Sequence, residues 1–399
     1  MAQKLIYFDH AATTYVDRRV AKAMEPCFSR IFGNAGSLHA YGRAAKLALD
    51  RAREQVAEVL GSQPAEIIFT GSGTESDNLA VLGVARAYAQ QGQHLITTNI
   101  EHKAVYRPME ELAQDGFQVD FVPVNQQGLV SVDDIINQVN DQTTLISIIY
   151  ANNEIGVIQP IAEIGRAVKK IRADRHRRGV ETPLWLHTDA CQAAGYLSLS
   201  VNELGVDLLT LNGSKIYGPK GVGALFVRSG IKLKPFVFGG DQEAGLRPGT
   251  ENVPGSVGLA WALTLASHLR VEESQRQSEL RDYFIGRLTQ EIPGVVLNGH
   301  AQRRLPNNIN VSVLGVEGEA MLLWLDKYGI AASTGSACDS QRLEPSHVIL
   351  ALGHPYEYAH GSLRLTLGRS SSKKEIDYFM KVFPGIVEKL RQMSPVKHE

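Results

Sequence analysis

The chain has 399 residues, 44% hydrophobic and 21% charged, which is enough for a large buried core and typical of a folded, enzyme-sized protein. With 41 Lys and Arg against 42 Asp and Glu, its net charge of -1 gives no long-range field to gather nucleic acid or an anionic membrane. The start, MAQKLIYFDH, has no apolar leader, no run reaches the roughly 18 apolar residues of a membrane span, and Cys27, Cys191 and Cys338 form neither a disulfide framework nor a zinc spacing. The expectation is a cytoplasmic protein with free thiols and no metal.

In chain order, an Asn/Gly/Ser turn at Gly33 leads into a helix whose Ala45, Leu49, Ala52, Val56 and Leu60 recur at helical spacing, closed by Gly61. Apolar runs at 66–70, 94–98, 144–150, 184–188 and 207–211 then alternate with helical patterns, which predicts a mostly parallel sheet covered on both faces. Ile161, Ile164, Val168 and Ile171 mark an amphipathic helix, and Lys169, Lys170, Arg172, Arg175, Arg177 and Arg178 around it read as a solvated surface. A helical pattern over 258–291 exceeds the usual limit of about 25 residues and predicts a kinked or spanning helix leading into a second domain. That region adds strands at 308–313 and 362–366 and helices near 317–328 and 374–393. The predicted class is α/β: a large domain, residues 16–261, around a mostly parallel sheet, and a smaller α+β domain from residues 1–15 and 262–399.

The five strands end in GSGTESDN, IEH, ANNEIG, DACQ and NGSK. If parallel, they project these polar sets to one sheet edge, where open α/β folds bind ligands. Gly71 to Thr74 opens a helix whose free N–H groups suit a phosphate; the plainer reading is a turn with Thr74 as helix cap. Neither G-x-G-x-x-G nor G-x-x-x-x-G-K-[ST] occurs, so dinucleotide and nucleoside-triphosphate sites lose support. Asp189 at one strand end and Lys215 at the next match what pyridoxal phosphate asks of a protein: an amine for its aldehyde and an acid for its ring nitrogen. His102 reads either as a core histidine or as an imidazole stacked on that ring.

Further stretches stand with these: YFDHAATT at Tyr7, TGSGTESDNLA at Thr70, EHKAV at Glu101, NNEIGVIQP at Asn152, HTDACQ at His187, SKIYGPKGVGAL at Ser214, RPGTENV at Arg247, STGSACDS at Ser333 and SLRLTLGR at Ser362. Over nearly its whole length the chain resembles cysteine desulfurases of the NifS/IscS type, fold-type I pyridoxal-phosphate enzymes of the class V aminotransferase-like group. The resemblance implies that Lys215 forms the Schiff base, His102 stacks on the ring, Asp189 pairs with its nitrogen and Gln192 bonds its phenolate oxygen. It assigns the phosphate to Gly73, Thr74 and Ser214, with Thr250 supplied by the other subunit of a homodimer. Arg364 and Asn153, assisted by Asn34, would hold the carboxylate of L-cysteine. Cys338 would take the sulfur as a persulfide, leaving L-alanine, and deliver it to an acceptor such as an iron-sulfur scaffold or a tRNA-thiolation protein.

Two stretches depart from the family pattern. Asn212, Gly213 and Ser214 replace a usual Ser-x-His, removing a histidine contact to the phosphate, and GNAGS at Gly33 replaces a usual GNPSS. Cys338, in a small and polar segment, reads as a reactive thiol on a mobile loop; Cys27 reads as buried, and Cys191 is the rival thiol near the cofactor. The alternatives are a selenocysteine lyase or other aminotransferase-like enzyme, which would need no mobile thiol, and an inactive sulfur-relay scaffold, against which Lys215 and Arg364 speak.

Overall fold

The computed structural model describes residues 5–335 and 345–393, so Cys338 lies outside the described residues. In chain order the strands are β1 Ile6–Tyr7, β2 Ile67–Thr70, β3 His94–Thr98, β4 Gln118–Val122, β5 Thr143–Ser147, β6 Trp185–Asp189, β7 Leu208–Asn212, β8 Gly223–Val227, β9 Val295–Leu297, β10 Asn308–Val313, β11 Ile330–Ala331 and β12 Ser362–Thr366. The large sheet has the order β2-β8-β7-β6-β5-β3-β4, and only β8 runs against its neighbours. Successive residues along a strand face opposite sides. Ile96, Ile146, Leu209 and Phe226 therefore enter the core on one face, and Leu95, Leu145, Leu208 and Leu225 the core on the other. Burial on both faces explains why these strands are continuous apolar runs rather than alternating ones.

A second, smaller sheet is antiparallel in the order β12-β10-β9, while β1 pairs in parallel with β11. Its core is aromatic: Phe8 and Phe284 have ring centroids 5.6 Å apart, and Phe284 and Phe379 meet edge-on at 4.9 Å. Helix Val253–Glu291 joins the two units, burying Leu259 and Leu263 in the first core and Phe284 and Leu288 in the second. The N-terminal segment also joins them. It buries Phe8 in the small core, and six residues later the Thr14 N–H donates to the Ser214 carbonyl at 2.9 Å.

The fold differs from the sequence reading in instructive places. Strands β4 and β8 were not anticipated: β4 is the half-exposed edge of the sheet, and β8 follows the glycine-containing stretch after Lys215. The spanning helix begins at Val253, before the predicted residue 258, because the Asn252 side chain accepts the Gly255 N–H and Pro254 sits in the first turn. Helix Gly73–Tyr88 is capped by Ser72, not Thr74: the Ser72 hydroxyl accepts the Glu75 N–H at 3.1 Å. Arg175 is not part of a solvated surface either. It is buried and donates to the carbonyls of Thr143 and Thr182 at 3.0 Å each, while Arg172 pairs with Asp207. Gly61 does close its helix, in the left-handed conformation at φ 66°.

Candidate active site

Lys215 ends a single turn, Gly213–Lys215, that follows β7. Two residues on, Tyr217 has φ 65°, strained for a side chain of that size. The surroundings hold it there: its N–H donates to the Thr14 hydroxyl at 2.8 Å, its phenol accepts the Arg369 N–H at 2.8 Å, and the Arg369 guanidinium lies 4.1 Å over its ring. The lysine is thereby locked to the N-terminal segment, where its Nζ donates to the Ala11 and Ala12 carbonyls at 2.9 and 2.6 Å.

A cavity of about 240 Å³ opens beside this amine. All five polar strand ends reach it, from Gly73, Thr74 and Asp77 through Glu101 and His102, Asn153 and Glu154, and Asp189 and Gln192 to Asn212 and Lys215. Arg364 and His347 complete the wall from the other side. At the head of helix Gly73–Tyr88, a Cβ on residue 73 would stand 2.7 Å from the Cys191 sulfur, so only glycine permits this approach.

The floor is acidic. Asp189 accepts the Cys191 N–H at 2.8 Å, and Asp77, His102 and Asp189 bring ligand-type atoms within 4.8 Å of one another, close enough for a metal ion as well as for an organic cation. Burial pushes the Glu101 carboxyl up to about 8, although one of its oxygens accepts from the Thr98 hydroxyl and the Ile149 N–H. Burial, and then Asp189, lift the Cys191 thiol well above its ordinary range. Burial also lowers His102, whose Nδ1 accepts the Ala104 N–H at 3.1 Å; the imidazole is neutral.

On the opposite wall Arg364 pairs with Asp9 at 2.9 Å and donates to the Asn153 carbonyl at 3.0 Å. Among the described residues its Nε and the Asn153 Oδ1 are buried without partners. Unpartnered buried polar atoms lining a cavity are what a polar ligand would satisfy.

The structure thus gathers Gly73, Thr74, His102, Asn153, Asp189, Gln192, Lys215 and Arg364 around one space. Ser214 stands next to it, its hydroxyl donating to Asn212 at 3.1 Å, and the Gln192 amide donates to the Ala11 carbonyl at 2.9 Å. Thr250 and Asn34 are exposed and lie outside this chain's cavity; the Asn34 side chain accepts the Gly36 N–H at 2.8 Å. Asp9, Asp77, Glu101 and Glu154 were not singled out from sequence, though each lies in a motif or strand end already marked. The missing signal was their burial.

Residues 6–379 match the Aminotransferase class-V family. The chain is 46% identical over 394 residues to the cysteine desulfurase IscS of Dictyoglomus turgidum, covering 99% of this chain and 97% of that one. It is 48% identical over 394 residues to the cysteine desulfurase IscS of Methanosarcina thermophila, covering 98% and 94%. Among solved structures, a NifS-like protein superimposes with a TM-score of 0.89 at 37% identity over 97% of this chain and 100% of that one. SspA in complex with cysteine superimposes with a TM-score of 0.79 at 34% identity over 91% and 98%. The chain belongs to the class-V aminotransferase family and, within it, to the cysteine desulfurases of the IscS and NifS type.

Proposed function

We propose that the chain takes sulfur from L-cysteine, releases L-alanine and carries the sulfur on Cys338 as a persulfide, with pyridoxal phosphate as cofactor. One juxtaposition carries this reading: the Lys215 amine and the Asp189 carboxylate, from the ends of paired strands β7 and β6, share a cavity with the Arg364 guanidinium. The donor set fits the cofactor. Lys215 suits its aldehyde, Asp189 its ring nitrogen, His102 its face and Gln192 its phenolate edge. The first turn of helix Gly73–Tyr88, with Thr74 and the adjacent Ser214, suits its phosphate. The amine favours this group over a metal ion at Asp77, His102 and Asp189.

When bound, the cofactor supplies an electron sink for the pair left at the substrate Cα after proton removal. Arg364, whose Nε is without a partner among the described residues, and the Asn153 side chain receive the substrate's carboxylate. Lys215 moves the Cα proton. The Cys338 thiolate attacks the substrate sulfur; the Cβ–S bond breaks, its electron pair stays on Cβ and is protonated. One cysteine and one thiol thus become one alanine and one persulfide. Described residues flanking Cys338 support the assignment: the Gly335 carbonyl lies 3.5 Å from Arg364, and the Ser346 hydroxyl donates to Glu154 at 2.5 Å. Asn34 and Thr250 act from outside the cavity of their own chain, Thr250 at the phosphate of a second copy in a homodimer. The sulfur acceptor is an iron-sulfur scaffold or a tRNA-thiolation protein, and the unpaired Cys27 and Cys191 suit the reducing cytoplasm.

The test is stoichiometric. Purified protein given L-cysteine should form alanine and protein-bound sulfur in equal amounts and show a visible cofactor band. Turnover of selenocysteine alone would favour the lyase reading, and absence of both band and product would favour an inactive scaffold.

A further inference from the structure

Asp77 sits in the first turns of helix Gly73–Tyr88, 1% exposed, on the wall of the same cavity. Among the described residues its Oδ1 has no hydrogen-bond partner, a state that calls for an explanation in a buried carboxyl. The groups facing it are Asp189 and His187 from β6, Thr210 from β7, and Glu101 and His102 from the turn after β3. His187 offers no counter-charge: burial lowers it to about 4, and its ring nitrogens lie 2.8 Å from the Ser147 hydroxyl and 3.1 Å from the Thr210 hydroxyl. A charged Asp77 would therefore stand in a water-poor wall against Asp189. Two carboxyls so placed do not both ionise.

Which one keeps the proton follows from the donors. Asp189 accepts the Cys191 N–H at 2.8 Å, whereas among the described residues Asp77 has the Thr210 hydroxyl alone to turn to. Backbone donors favour the anion. We propose that Asp77 is a positioning residue, a neutral carboxylic acid that confines the single negative charge of the pair to Asp189, the group facing the cofactor's ring nitrogen. This rests on the reading of the cavity as a pyridoxal-phosphate site. The direction of titration agrees, since burial first and then Asp189 and Glu101 push Asp77 well above the ordinary carboxyl range. A localised charge matters because a ring nitrogen pairs best with one fixed anion, and a charge that wandered onto Asp77 would leave Asp189 as a neutral partner.

The experiment uses the apoprotein first. Glu101 is also held protonated, so Glu101→Gln is made to remove its contribution, and infrared spectroscopy at neutral pH reads the carbonyl band of any remaining buried carboxylic acid. That band should persist in Glu101→Gln and vanish when Asp77→Asn is added. Its absence from Glu101→Gln at neutral pH would overturn the proposal without any Asp77 variant having to fold. Pyridoxal phosphate is then titrated into single variants. Asp77→Asn, which imitates the neutral acid, should hold it within about threefold of wild type and keep the pH profile of the visible band, while Asp189→Asn should weaken it by about tenfold or more. Equal losses in the two variants would also overturn the assignment. If wild type itself binds no pyridoxal phosphate, the functional reading fails, and the infrared result still decides the protonation of Asp77.

Discussion

Arg364 and Asp9 meet at the seam between the two units, guanidinium to carboxylate at 2.9 Å. Arg364 stands on β12 and is 2% exposed; Asp9 follows directly on Phe8, which is anchored in the small aromatic core. Asp9 and two backbone carbonyls engage Nη1 and Nη2, and Nε has no partner among the described residues. Burial raises the Asp9 carboxyl while Arg364 opposes the rise, so the pair holds its charge under tension between desolvation and attraction.

Arg364→Lys should therefore keep a positive charge but lose the fork, raising KM for L-cysteine by about tenfold or more with a smaller effect on kcat. Asp9→Asn should lose stability, by roughly 3 kcal/mol, because a buried guanidinium is left without its counter-charge. Steady-state kinetics and thermal melts read the two effects separately. An unchanged KM in Arg364→Lys would remove Arg364 from carboxylate recognition.

Lys215→Ala tests the opposite wall. Wild-type protein treated with borohydride should carry the cofactor mass on the peptide containing Lys215, and the variant should carry none and form no alanine. Its fold should survive, since the lysine is only half-buried and lies at the edge of the cavity rather than in a core. Normal turnover in this variant would end the assignment.

Much of this arrangement was legible in the chain because it is local. Apolar runs ending in polar sets identified the sheet edge, and helical spacing found Ala40–Leu60 and its Gly61 cap. What stayed hidden depends on partners distant in sequence. Strand β8 pairs antiparallel between β2 and β7, and nothing in GALFV states that it reverses direction. Asp9 and Arg364 are 355 residues apart, and neither stretch alone shows a salt bridge. Arg175 looked like one more surface charge until its helix was packed against the carbonyls around Thr143. Acids such as Asp77 and Glu101 were visible as letters at strand ends, but the loss of water that changes their protonation is a property of the packed core.

Glu101 gives a pH dependence whose sign can be worked out. Its ordinary value is 4.5 and burial raises it to about 8 in the folded chain. Below the first value both folded and unfolded chains carry the proton; across the interval only the folded chain does. Apoprotein stability from this group is thus fully present below about 4.5 and is lost as pH rises through 8, at up to about 1.4 kcal/mol per pH unit. Oε2, which has no partner among the described residues, is where that proton can sit. Glu101→Gln should flatten this part of the stability curve in denaturant titrations run from pH 5 to 8. A curve as steep as the wild type's would assign the slope to other groups.

The remaining prediction sets the thiols against one another. A sulfur acceptor must be a thiolate, and a thiol at its ordinary value is only a few per cent ionised at neutral pH. Cys191 is worse placed than that. It lies beside the head of helix Gly73–Tyr88, which by itself favours a thiolate, yet burial and the neighbouring Asp189 outweigh the helix and push the thiol well up. Cys27 is likewise buried and raised, by burial alone. These environments support the proposal that Cys338 carries the sulfur. Cys338→Ser should bind cofactor and cysteine but form no protein persulfide, with alanine formation reduced by about a hundredfold. Cys191→Ser should keep most of its activity. Mass spectrometry after a single turnover decides between them: added sulfur on the peptide containing Cys191, with none on Cys338, would overturn the transfer step and leave the cofactor assignment standing.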